Sequence, residues 1–319
     1  MEMLSGYLNK TIPAISQSWK PNTLADLANI TSPSSLFNER ESMLKADIHF
    51  LWLSWFLESI YDFNLAPENT KYADVFSSVR RGLIKSGFNE HDHSFNEVWT
   101  NIARLIFTYI SNTQGRTRKQ VTKTLKQDLI ATYNGKPYCW ICGVRFPEES
   151  TKTFLGINAN FTLSPTVDYM FPRGLKERDF KIEVEHKLPF SLGGGDIDDI
   201  ENIDLSCGYC NRHKWKFLSV YDANRSLRTF SHARLGMLSV PQPYWAIRIL
   251  ALADRCSEAG CTARKSNQQL YVDIVNELGS ATPSNLKVVC RKHIRNPGDR
   301  FVNSKLFEQK MKKGRNYIV

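Results

Sequence analysis

The sequence contains no apolar run long enough to cross a membrane. The longest, FLWLSWFL at residues 50–57, is followed at once by Glu58, whereas a spanning helix needs about 20 apolar residues. The first residues, MEMLSGYLNK, lack the basic and apolar segments of a secretory signal. We therefore expect no membrane partner and a cytoplasmic location, with residues 50–57 in a buried helix.

Cysteine and histidine are scarce, with seven of each among 319 residues. Thiols stay reduced in the cytoplasm, so these cysteines favour metal binding or catalysis over disulfide bonds. The sequence also lacks a glycine-rich nucleotide-binding loop, so it indicates no energy source of its own. Apolar residues, by contrast, make up 42% of the chain, which is enough to bury a core and argues against wholesale disorder.

Positive charge is concentrated beyond the first hundred residues. Residues 1–100 carry 8 Lys and Arg against 12 Asp and Glu, whereas residues 101–319 carry 34 against 20. A localised basic surface favours a polyanionic partner such as nucleic acid, although a merely soluble surface can have the same composition. The length of the chain predicts two or three domains.

The N-terminal part of the sequence predicts an irregular or weakly helical lead-in followed by a helical domain. Residues 1–37 are rich in Ser, Thr, Asn and Pro. Residues 38–63 have a wide apolar face and no Gly or Pro, which predicts one long helix, and a second helix is predicted over 94–111. We assign residues 38–114 to the helical domain.

The stretch GRTRKQVTKTLKQDLIATYNG, residues 115–135, predicts a basic amphipathic helix that stops at Asn134-Gly135. Its basic residues come before any acid, and apolar residues recur at helical spacing. Such a face can be merely solvated, or it can contact phosphate groups. We favour the second because a metal site follows directly, and we expect the contacts from Arg116, Arg118, Lys119 and Lys123.

Two CxxC pairs predict a structural zinc site formed by Cys139, Cys142, Cys207 and Cys210. Each tight turn can aim two thiolates at one ion, and two pairs complete a tetrahedral Zn²⁺ site. The 64 residues between the pairs exceed the usual spacing, so we interpret residues 147–175 as an insertion. Two unrelated knuckles and a redox CxxC are alternatives, but neither pair has a thioredoxin-like strand and helix around it.

The stretch between the pairs, VEHKLPFSLGGGDIDDIENIDLSCGYCNRHK, resembles the HNH endonuclease family, and the resemblance covers residues 136–219. That family has an acid or His before a His, a Pro three residues on, a Gly-rich turn, an Asn five residues before the second Cys pair, and a His or Asn directly after the last Cys. The matching residues are Glu185, His186, Pro189, Gly193, Gly194, Asn202, Cys207, Cys210 and Asn211. The resemblance implies a ββα-metal fold and phosphodiester hydrolysis that leaves 5′-phosphate and 3′-hydroxyl ends.

Elementary chemistry suggests a role for each of these residues. Neighbours on a strand point to opposite faces, so Glu185 can hold a cation while His186 serves the substrate side. An imidazole suits a general base, and a carboxylate suits a hard divalent cation. Asn211 is the expected second ligand, and its amide, where many relatives have His, favours Mg²⁺ or Mn²⁺ over Zn²⁺. The resemblance implies that Asn202 bonds backbone across the loop and fixes the His.

The three residues after Asn211 are expected to face nucleic acid. His213 is a rival metal ligand, but it lies about 200° around a helix from Asn211 and should face elsewhere. We therefore expect contacts to phosphate from Arg212, His213 and Lys214.

The remaining cysteines predict a second zinc site, formed by Cys256, Cys261, Cys290 and His293. NLKVVCRKH at 285–293 lines up with NIDLSCGYC at 202–210, and Asp273-Ile274 stands roughly where Glu-His would stand, so the base is missing. We interpret residues 240–296 as a catalytically inactive copy that supports the fold or binds nucleic acid. Three free core cysteines are the alternative.

The sequence thus predicts an α+β protein. After the lead-in and helical domain, residues 115–222 form an HNH nuclease domain and residues 223–319 a second zinc module with a basic tail, which can wrap phosphates or be a disordered end. We expect a metal-dependent endonuclease acting on DNA, with RNA as an open alternative, in a bacterial defence or restriction role by analogy. The competing hypothesis is a non-catalytic, zinc-dependent nucleic-acid-binding or adaptor protein. The acidic helical domain suggests a regulatory protein partner.

Overall fold

The computed structural model describes residues 1–63, 65–226 and 228–313. It is helical over the N-terminal region and mixed beyond it, with small antiparallel sheets. This architecture confirms the α+β fold class that the sequence predicts. In the described ranges, no helix is long and apolar enough to cross a membrane.

Within the described residues, the N-terminal region contains α1 (Glu2–Ile15), α2 (Pro21–Ala28), α3 (Glu41–Ile60), α4 (Tyr72–Lys85) and α5 (Phe95–Thr113). Of the two alternatives for residues 1–37, irregular or weakly helical, the structure has the helical one, because α1 and α2 occupy most of this range. Neither helix has a buried residue in the described structure. The helices predicted over 38–63 and 94–111 are confirmed as α3 and α5.

The second half of α3 packs with α4 and α5 around a small core of its own. Gly82 allows the close approach of α4 to α3, because a Cβ at this position would lie 2.4 Å from the carbonyl oxygen of Ile60. The buried members of this core are Ile60, Val75, Val79, Leu83, Phe95, Ala103, Ile106 and Ile110.

The first half of α3 is fastened to the C-terminal half of the molecule. The carboxylate of Asp47 is fully buried, and it accepts hydrogen bonds from the Val220 amide at 2.7 Å and from Nη2 of Arg248 at 2.8 Å. Met43 and Leu44 pack beside this ion pair. The two halves of α3 therefore pack against two different cores. The expectation that residues 50–57 form a buried helix is wrong, because the side chains of Phe50, Trp52, Leu53 and Trp55 are exposed.

The basic segment forms a shorter helix than the sequence predicts. Helix α6 covers Lys123–Ala131, and the Thr122 hydroxyl caps it by accepting a hydrogen bond from the Leu125 amide at 3.2 Å. Residues 116–119 precede the helix and have no regular secondary structure. The predicted stop is confirmed, because Asn134 and Gly135 both have positive φ, at 51° and 72°.

The central region contains α7 (Glu148–Phe154), β1 (Thr166–Asp168), β2 (Ile182–His186), β3 (Ile203–Cys207) and α8 (Gly208–Lys214). Strands β2 and β3 form an antiparallel hairpin in which Ile182 lies opposite Cys207 and His186 lies opposite Ile203. Helix α8 follows β3 directly. The predicted insertion, residues 147–175, contains α7 and β1 and is therefore partly regular.

The C-terminal region contains β4 (Arg228–His232), β5 (Gly236–Val240), α9 (Pro243–Leu252), β6 (Leu270–Ile274), β7 (Leu286–Cys290), α10 (Pro297–Arg300), β8 (Phe301–Asn303), α11 (Ser304–Lys310) and β9 (Met311–Lys313). Strand β4 lies between β5 and β9, β6 pairs with β7, and β8 pairs with β1 of the central region. One apolar core runs across the predicted boundary at residue 222. Short 3-10 turns cover Ser34–Leu36, Glu177–Phe180, Phe190–Leu192, Pro283–Asn285 and Arg291–His293.

The predicted basic tail is only partly described. Strand β9 belongs to it and pairs with β4, so Met311 lies opposite Phe230. Residues 314–319 lie outside the described residues, as does part of the run KMKKGRNY at 310–317.

Candidate metal and catalytic centre

Four cysteines meet where the first CxxC turn packs against the end of β3. Their Sγ atoms all lie within 4.8 Å of one another, and all four residues are buried. Tetrahedral zinc with Zn–S bonds of ~2.3 Å places sulfur atoms about 3.8 Å apart, so the thiols fit a structural Zn²⁺. The structure thus brings together the predicted first set, Cys139, Cys142, Cys207 and Cys210.

A tight turn aims the first pair of thiols. The Cys139 amide donates to the Val144 carbonyl at 2.9 Å, and the Gly143 amide donates to the Cys139 carbonyl at 2.7 Å. Gly143 has φ +72°, which a glycine adopts without strain. The Trp140 amide donates to the Leu205 carbonyl at 3.0 Å and ties the turn to β3. Local backbone bonding therefore orients the first pair, while β3 and α8 orient the second.

A cationic side chain that the sequence analysis did not single out accompanies this cluster. Burial lowers the pKa of Arg173, but the thiolates of Cys207 and Cys142 act in the opposite direction and raise it above its ordinary value. Its Nε and Nη2 are buried and have no hydrogen-bond partner in the described part of the chain. Four thiolates around Zn²⁺ carry net negative charge, which the guanidinium offsets.

The hairpin β2–β3 and helix α8 form a ββα unit with an open cleft of about 570 Å³. Glu185 and His186 reach the cleft from the end of β2, and Asn211 reaches it from the first turn of α8. The same cleft is lined by four cationic side chains, those of Arg118, Arg178, Arg212 and Lys216. The lining of this one cleft therefore contains an acid, an imidazole, an amide and four cationic side chains.

Glu185 has one oxygen in an ion pair and one oxygen without a hydrogen bond in the described structure. Its Oε1 accepts from Nζ of Lys214 at 2.6 Å, and the same ammonium donates to the carbonyl of His186 at 2.9 Å. Its Oε2 is buried and makes no hydrogen bond to a described residue, although the buried indole N–H of Trp140 lies near the carboxyl group. Burial raises the pKa of Glu185, and the Lys214 ammonium and the Trp140 indole each offset part of the rise. The free carboxylate oxygen fits coordination of a hard divalent cation.

His186 is suited to accept a proton at neutral pH. Its side chain is 7% exposed, and Oδ1 of Asp196 lies 3.7 Å from its Nε2. Burial lowers the pKa of His186 and the charge of Arg118 lowers it further, while Asp196 acts in the opposite direction. The lowered pKa favours the neutral imidazole, which is the form that a general base requires.

Asn211 is held by an acid that the sequence analysis missed. Its Nδ2 donates to Oε2 of Glu183, which turns the amide oxygen into the atom available to a cation. Glu183 precedes Glu185 by two residues and shares its face of β2, and this alternation is the signal that could have found it. Carboxylate and amide oxygens are donors that suit Mg²⁺ or Mn²⁺, and the assignment of Glu185 and Asn211 as ligands of one ion stays a prediction.

Asn202 closes the loop that follows His186. Its Oδ1 accepts from the Leu188 amide at 2.8 Å, and its Nδ2 donates to the carbonyls of Leu188 at 3.1 Å and Gly195 at 2.9 Å. A Cβ at Gly194 would lie 2.0 Å from the Leu188 carbonyl oxygen, so this close approach requires glycine. The geometry agrees with the supporting role that the resemblance implies for Asn202.

Two of the predicted phosphate contacts line the cleft. They are Arg118, which is exposed, and Arg212, whose guanidinium is held by the carboxylate of Asp179. Arg178 and Lys216 join them, although the sequence analysis did not single them out. Nothing in the local sequence marks Arg178, because it is separated from the catalytic pair by most of β2.

The structure corrects the expectation for the two residues that follow Arg212. Lys214 does not face phosphate, because its ammonium is buried on Glu185. The ring of His213 packs on that of Tyr209 with centroids 4.5 Å apart. Burial lowers the pKa of His213 to about 4, and the charge of Arg212 contributes to the shift. A neutral, packed imidazole is a poor phosphate ligand.

Three basic residues of the segment before and within α6 lie outside the cleft lining. Arg116 donates to the Gly194 carbonyl at 3.0 Å, and Nζ of Lys119 lies 2.7 Å from the carboxylate of Asp198. Lys123 is exposed at the start of α6. The structure therefore gives Arg116 and Lys119 intramolecular partners in place of the expected phosphates.

A second group of ligands meets near the C-terminus, and it consists of Cys256, Cys261, Cys290 and His293. The Sγ atoms of Cys261 and Cys290 are 3.8 Å apart, and Nδ1 of His293 lies 3.4 Å from Sγ of both Cys256 and Cys290. These separations match tetrahedral zinc with sulfur and nitrogen ligands. The group suggests structural zinc and excludes three unrelated core cysteines.

The hairpin beside this second group repeats the geometry of the nuclease hairpin. Leu270 lies opposite Cys290 in β6–β7, as Ile182 lies opposite Cys207 in β2–β3. Asn285 closes the connecting loop, since its Nδ2 donates to the carbonyls of both Asn276 and Ser280 at 2.9 Å, in the manner of Asn202. The predicted internal copy is therefore visible in the backbone.

The copy differs where the chemistry would occur. By register, Asp273 takes the place of Glu185 and Ile274 takes that of His186, so the copy has no base there. The buried guanidinium of Arg300 lies between Asp273 and Asp168, with Nη1 3.4 Å from Oδ1 of Asp273. The acid of the copy is neutralised by a protein side chain.

The fold and site define a ββα unit with an adjacent acid and imidazole on a four-cysteine scaffold. The family model for HNH endonucleases matches residues 175–217, so the chain contains an HNH endonuclease domain, and the predicted resemblance is confirmed. Members of that family are phosphodiesterases, so the matched domain is similar to an enzyme domain. No curated protein and no solved structure matches the chain.

Proposed function

We propose that the protein is a divalent-metal-dependent endonuclease that hydrolyses DNA, with His186 as general base and Glu185 and Asn211 as metal ligands. The HNH domain supports a nucleic-acid substrate. The observation that carries the proposal is the buried Oε2 of Glu185, which makes no hydrogen bond to a described residue and lies beside the cleft that His186 also lines. A buried carboxylate oxygen without a partner is costly unless a cation is bound there.

Residues of this chain would accept the proton from the attacking water and would hold the cation at the phosphate. His186 accepts a proton from water as the water oxygen attacks phosphorus, and the bond from phosphorus to the 3′ oxygen breaks. Glu185 and Asn211 would hold the cation, which when bound neutralises charge on the phosphate and on the leaving oxygen. The 3′ oxygen takes a proton from solvent, which leaves a 5′-phosphate and a 3′-hydroxyl.

The cationic side chains of the cleft position the DNA strand. Arg118 and Lys216 are exposed and can each contact a phosphate oxygen. Arg178 and Arg212 are already paired with Glu183 and Asp179, so they add positive charge to the cleft and are not free contacts. Phosphate contacts carry no base information, so they support binding of a backbone and predict strong dependence on salt. The excess of positive charge beyond residue 100 favours the same partner.

A second candidate function rests on Lys214. Its ammonium already neutralises one oxygen of Glu185, as Arg300 neutralises Asp273 in the inactive copy. Under this alternative the protein is a zinc-dependent nucleic-acid-binding or adaptor protein without activity. The presence of His186 favours the nuclease, because a binding module needs no base beside an acid.

The flanking regions have supporting roles under this proposal. The second zinc module is catalytically inactive and braces the nuclease unit through the shared core. The helical region engages a regulatory protein through the exposed apolar side chains of α3, which are Phe50, Trp52, Leu53 and Trp55. A role in bacterial defence or restriction fits a nuclease under such control, and it rests on analogy.

One cleavage survey tests the proposal. Purified protein is incubated with duplex DNA, single-stranded DNA and RNA of the same sequence, each with Mg²⁺, with Mn²⁺ and with EDTA. We expect cleavage of DNA that EDTA abolishes and that leaves 5′-phosphate ends. Binding without cleavage in every metal condition favours the alternative, and preferential cleavage of RNA contradicts the proposed substrate.

A further inference from the structure

The loop between β2 and β3 is held from two sides. Asn202 holds it from within, through the hydrogen bonds to Leu188 and Gly195. The outer side is held by the chain that leaves α5. A Cβ at Gly193 would lie 3.2 Å from Cβ of Asn112 at the end of that helix, so the two segments are in close contact.

The outer contacts come from Arg116 and Lys119. Nη1 of Arg116 donates to the Gly194 carbonyl at 3.0 Å, and its guanidinium lies 4.1 Å from the ring centroid of Phe190. The backbone amide of Lys119 donates to Oδ2 of Asp196 at 2.8 Å. The segment 112–119, which joins the helical region to the nuclease unit, therefore clasps the loop directly after the catalytic pair.

The carboxylate in this clasp is the one that faces His186. Oδ1 of Asp196 lies 3.7 Å from Nε2 of His186, which is buried and makes no hydrogen bond to a described residue, so the carboxylate acts on the imidazole through its charge. The same oxygen accepts from the Ile197 amide at 2.8 Å. The side chain of Asp196 is only 9% exposed. Burial raises the pKa of Asp196, but hydrogen bonds from the Lys119 and Ile197 amides outweigh burial and lower it below its ordinary value. The group beside the imidazole is thus a fixed anion.

We propose that Asp196 is the positioning residue for His186 and that the segment 112–119 holds Asp196 in place. An anion beside Nε2 favours the tautomer with its proton on Nε2, which leaves Nδ1 as the nitrogen that accepts a proton from water. The inference rests on the proposed function for its catalytic meaning, but the geometry of the imidazole does not depend on cleavage. A shift of the segment 112–119 would move Asp196, and His186 would then lose the orientation that it needs to accept a proton from water.

Two measurements on the full-length protein test this role. Long-range ¹H–¹⁵N spectra of ¹⁵N-histidine-labelled protein, with the His186 signal assigned through His186→Gln, report which nitrogen carries the proton. We expect the Nε2–H tautomer in the wild type, a mixture of tautomers in Asp196→Ala, and the wild-type tautomer in the control Asp198→Asn. An Nδ1–H tautomer in the wild type, or no change in Asp196→Ala, overturns the proposal.

The second measurement is single-turnover cleavage at saturating DNA. Asp196→Ala and the isosteric Asp196→Asn should each lower the rate about 10- to 100-fold without changing the affinity for DNA, since misplacement of a base costs rate and not binding. Asp198→Asn should stay within about twofold of wild type. Wild-type rates in both Asp196 variants refute the positioning role. If the wild type cuts nothing, the proposed function fails, and the tautomer alone decides this inference.

The clasp is tested through one backbone amide. Lys119→Pro removes the N–H that Asp196 accepts, whereas Lys119→Ala keeps it and removes only the exposed pair with Asp198. We expect Lys119→Pro to give the mixed tautomers of Asp196→Ala, and Lys119→Ala to give the wild-type tautomer. Equal spectra of the two Lys119 variants contradict the role of the segment.

Discussion

The ammonium of Lys214 lies 2.6 Å from Oε1 of Glu185 and 2.9 Å from the carbonyl oxygen of His186. One buried cation thus contacts both residues of the catalytic pair, from the last position of α8. Oε2 of Glu185 makes no hydrogen bond in the described structure. We infer that Lys214 keeps Glu185 ionised in a buried position, so that its second oxygen can bind a metal ion.

Replacing Lys214 tests that relationship. Lys214→Met leaves the Glu185 carboxylate buried without its cation, so the free energy of unfolding should fall by about 3–5 kcal/mol. Urea denaturation measures this change, and Lys45→Met, which breaks an exposed pair with Glu41, should cost no more than about 1 kcal/mol. A Lys214→Met protein as stable as wild type would show that the buried pair contributes nothing.

The same variant should need more metal. Burial raises the pKa of Glu185 and Lys214 opposes that rise, so removing Lys214 favours the protonated acid, which binds cations poorly. The concentration of Mn²⁺ that gives half-maximal cleavage should therefore increase, and the increase should shrink as pH rises. A metal requirement equal to that of the wild type would refute Glu185 as the ligand.

The dependence of cleavage on pH has a defined direction. His186 works as the neutral imidazole, and burial together with Arg118 lowers its pKa, so the rate should fall only as pH drops below the ordinary histidine value of about 6.5. Arg118→Gln removes a positive charge, so the pKa of His186 should rise and the acid limb should move to higher pH. Rates are compared at saturating DNA, because Arg118 also lines the cleft. A shift of the acid limb to lower pH in Arg118→Gln would contradict the assignment of His186 as the general base.

Zinc content distinguishes the two cysteine groups. Elemental analysis should find two zinc ions per chain in the wild type and one in each of Cys139→Ser and Cys256→Ser. Loss of the first ion removes the scaffold of the ββα unit, so Cys139→Ser should unfold that unit or abolish cleavage. A soluble, fully active Cys139→Ser protein would contradict a structural role for the first site.

Arg300 should be essential for stability and not for chemistry. Its guanidinium is buried between Asp168 and Asp273, so Arg300→Met leaves two buried carboxylates and should destabilise the protein by about 3–5 kcal/mol. Arg234→Met removes a partner of Asp299 while Arg234 is largely exposed, and should cost no more than about 1 kcal/mol. Thermal or urea unfolding of both variants decides the comparison.

Local chemistry made the metal groups and the nuclease hairpin predictable. The CxxC pairs, the Glu185-His186 adjacency and the spacing of Asn202 to Cys207 are contiguous signals, and each reflects a short turn or strand. The copy was predictable for the same reason, since Asn285 precedes Cys290 by the same five residues. These are properties of a few neighbouring residues, so a sequence displays them directly.

The partners of these residues were not predictable, because they come from distant parts of the chain. Asp196 receives its hydrogen bond from Lys119, 77 residues away, and Arg300 pairs with Asp168, 132 residues away. Lys214 is a lysine in a basic run, which is typical of a phosphate contact. Only the packing of α8 on β2 shows that its side chain faces inward. The bounds of α1 and α2 were not predicted, because the Ser, Thr, Asn and Pro residues of this range weaken the helical pattern.

The most direct measurement is single-turnover cleavage of duplex DNA by His186→Ala in Mn²⁺, beside His93→Ala, which changes the same residue type at a position 98% exposed. The account predicts that His186→Ala binds DNA normally, stays folded with its zinc, and loses at least about 100-fold in rate, as expected for removal of a general base. His93→Ala should cut like the wild type. A His186→Ala protein that cuts as fast as His93→Ala would contradict the account.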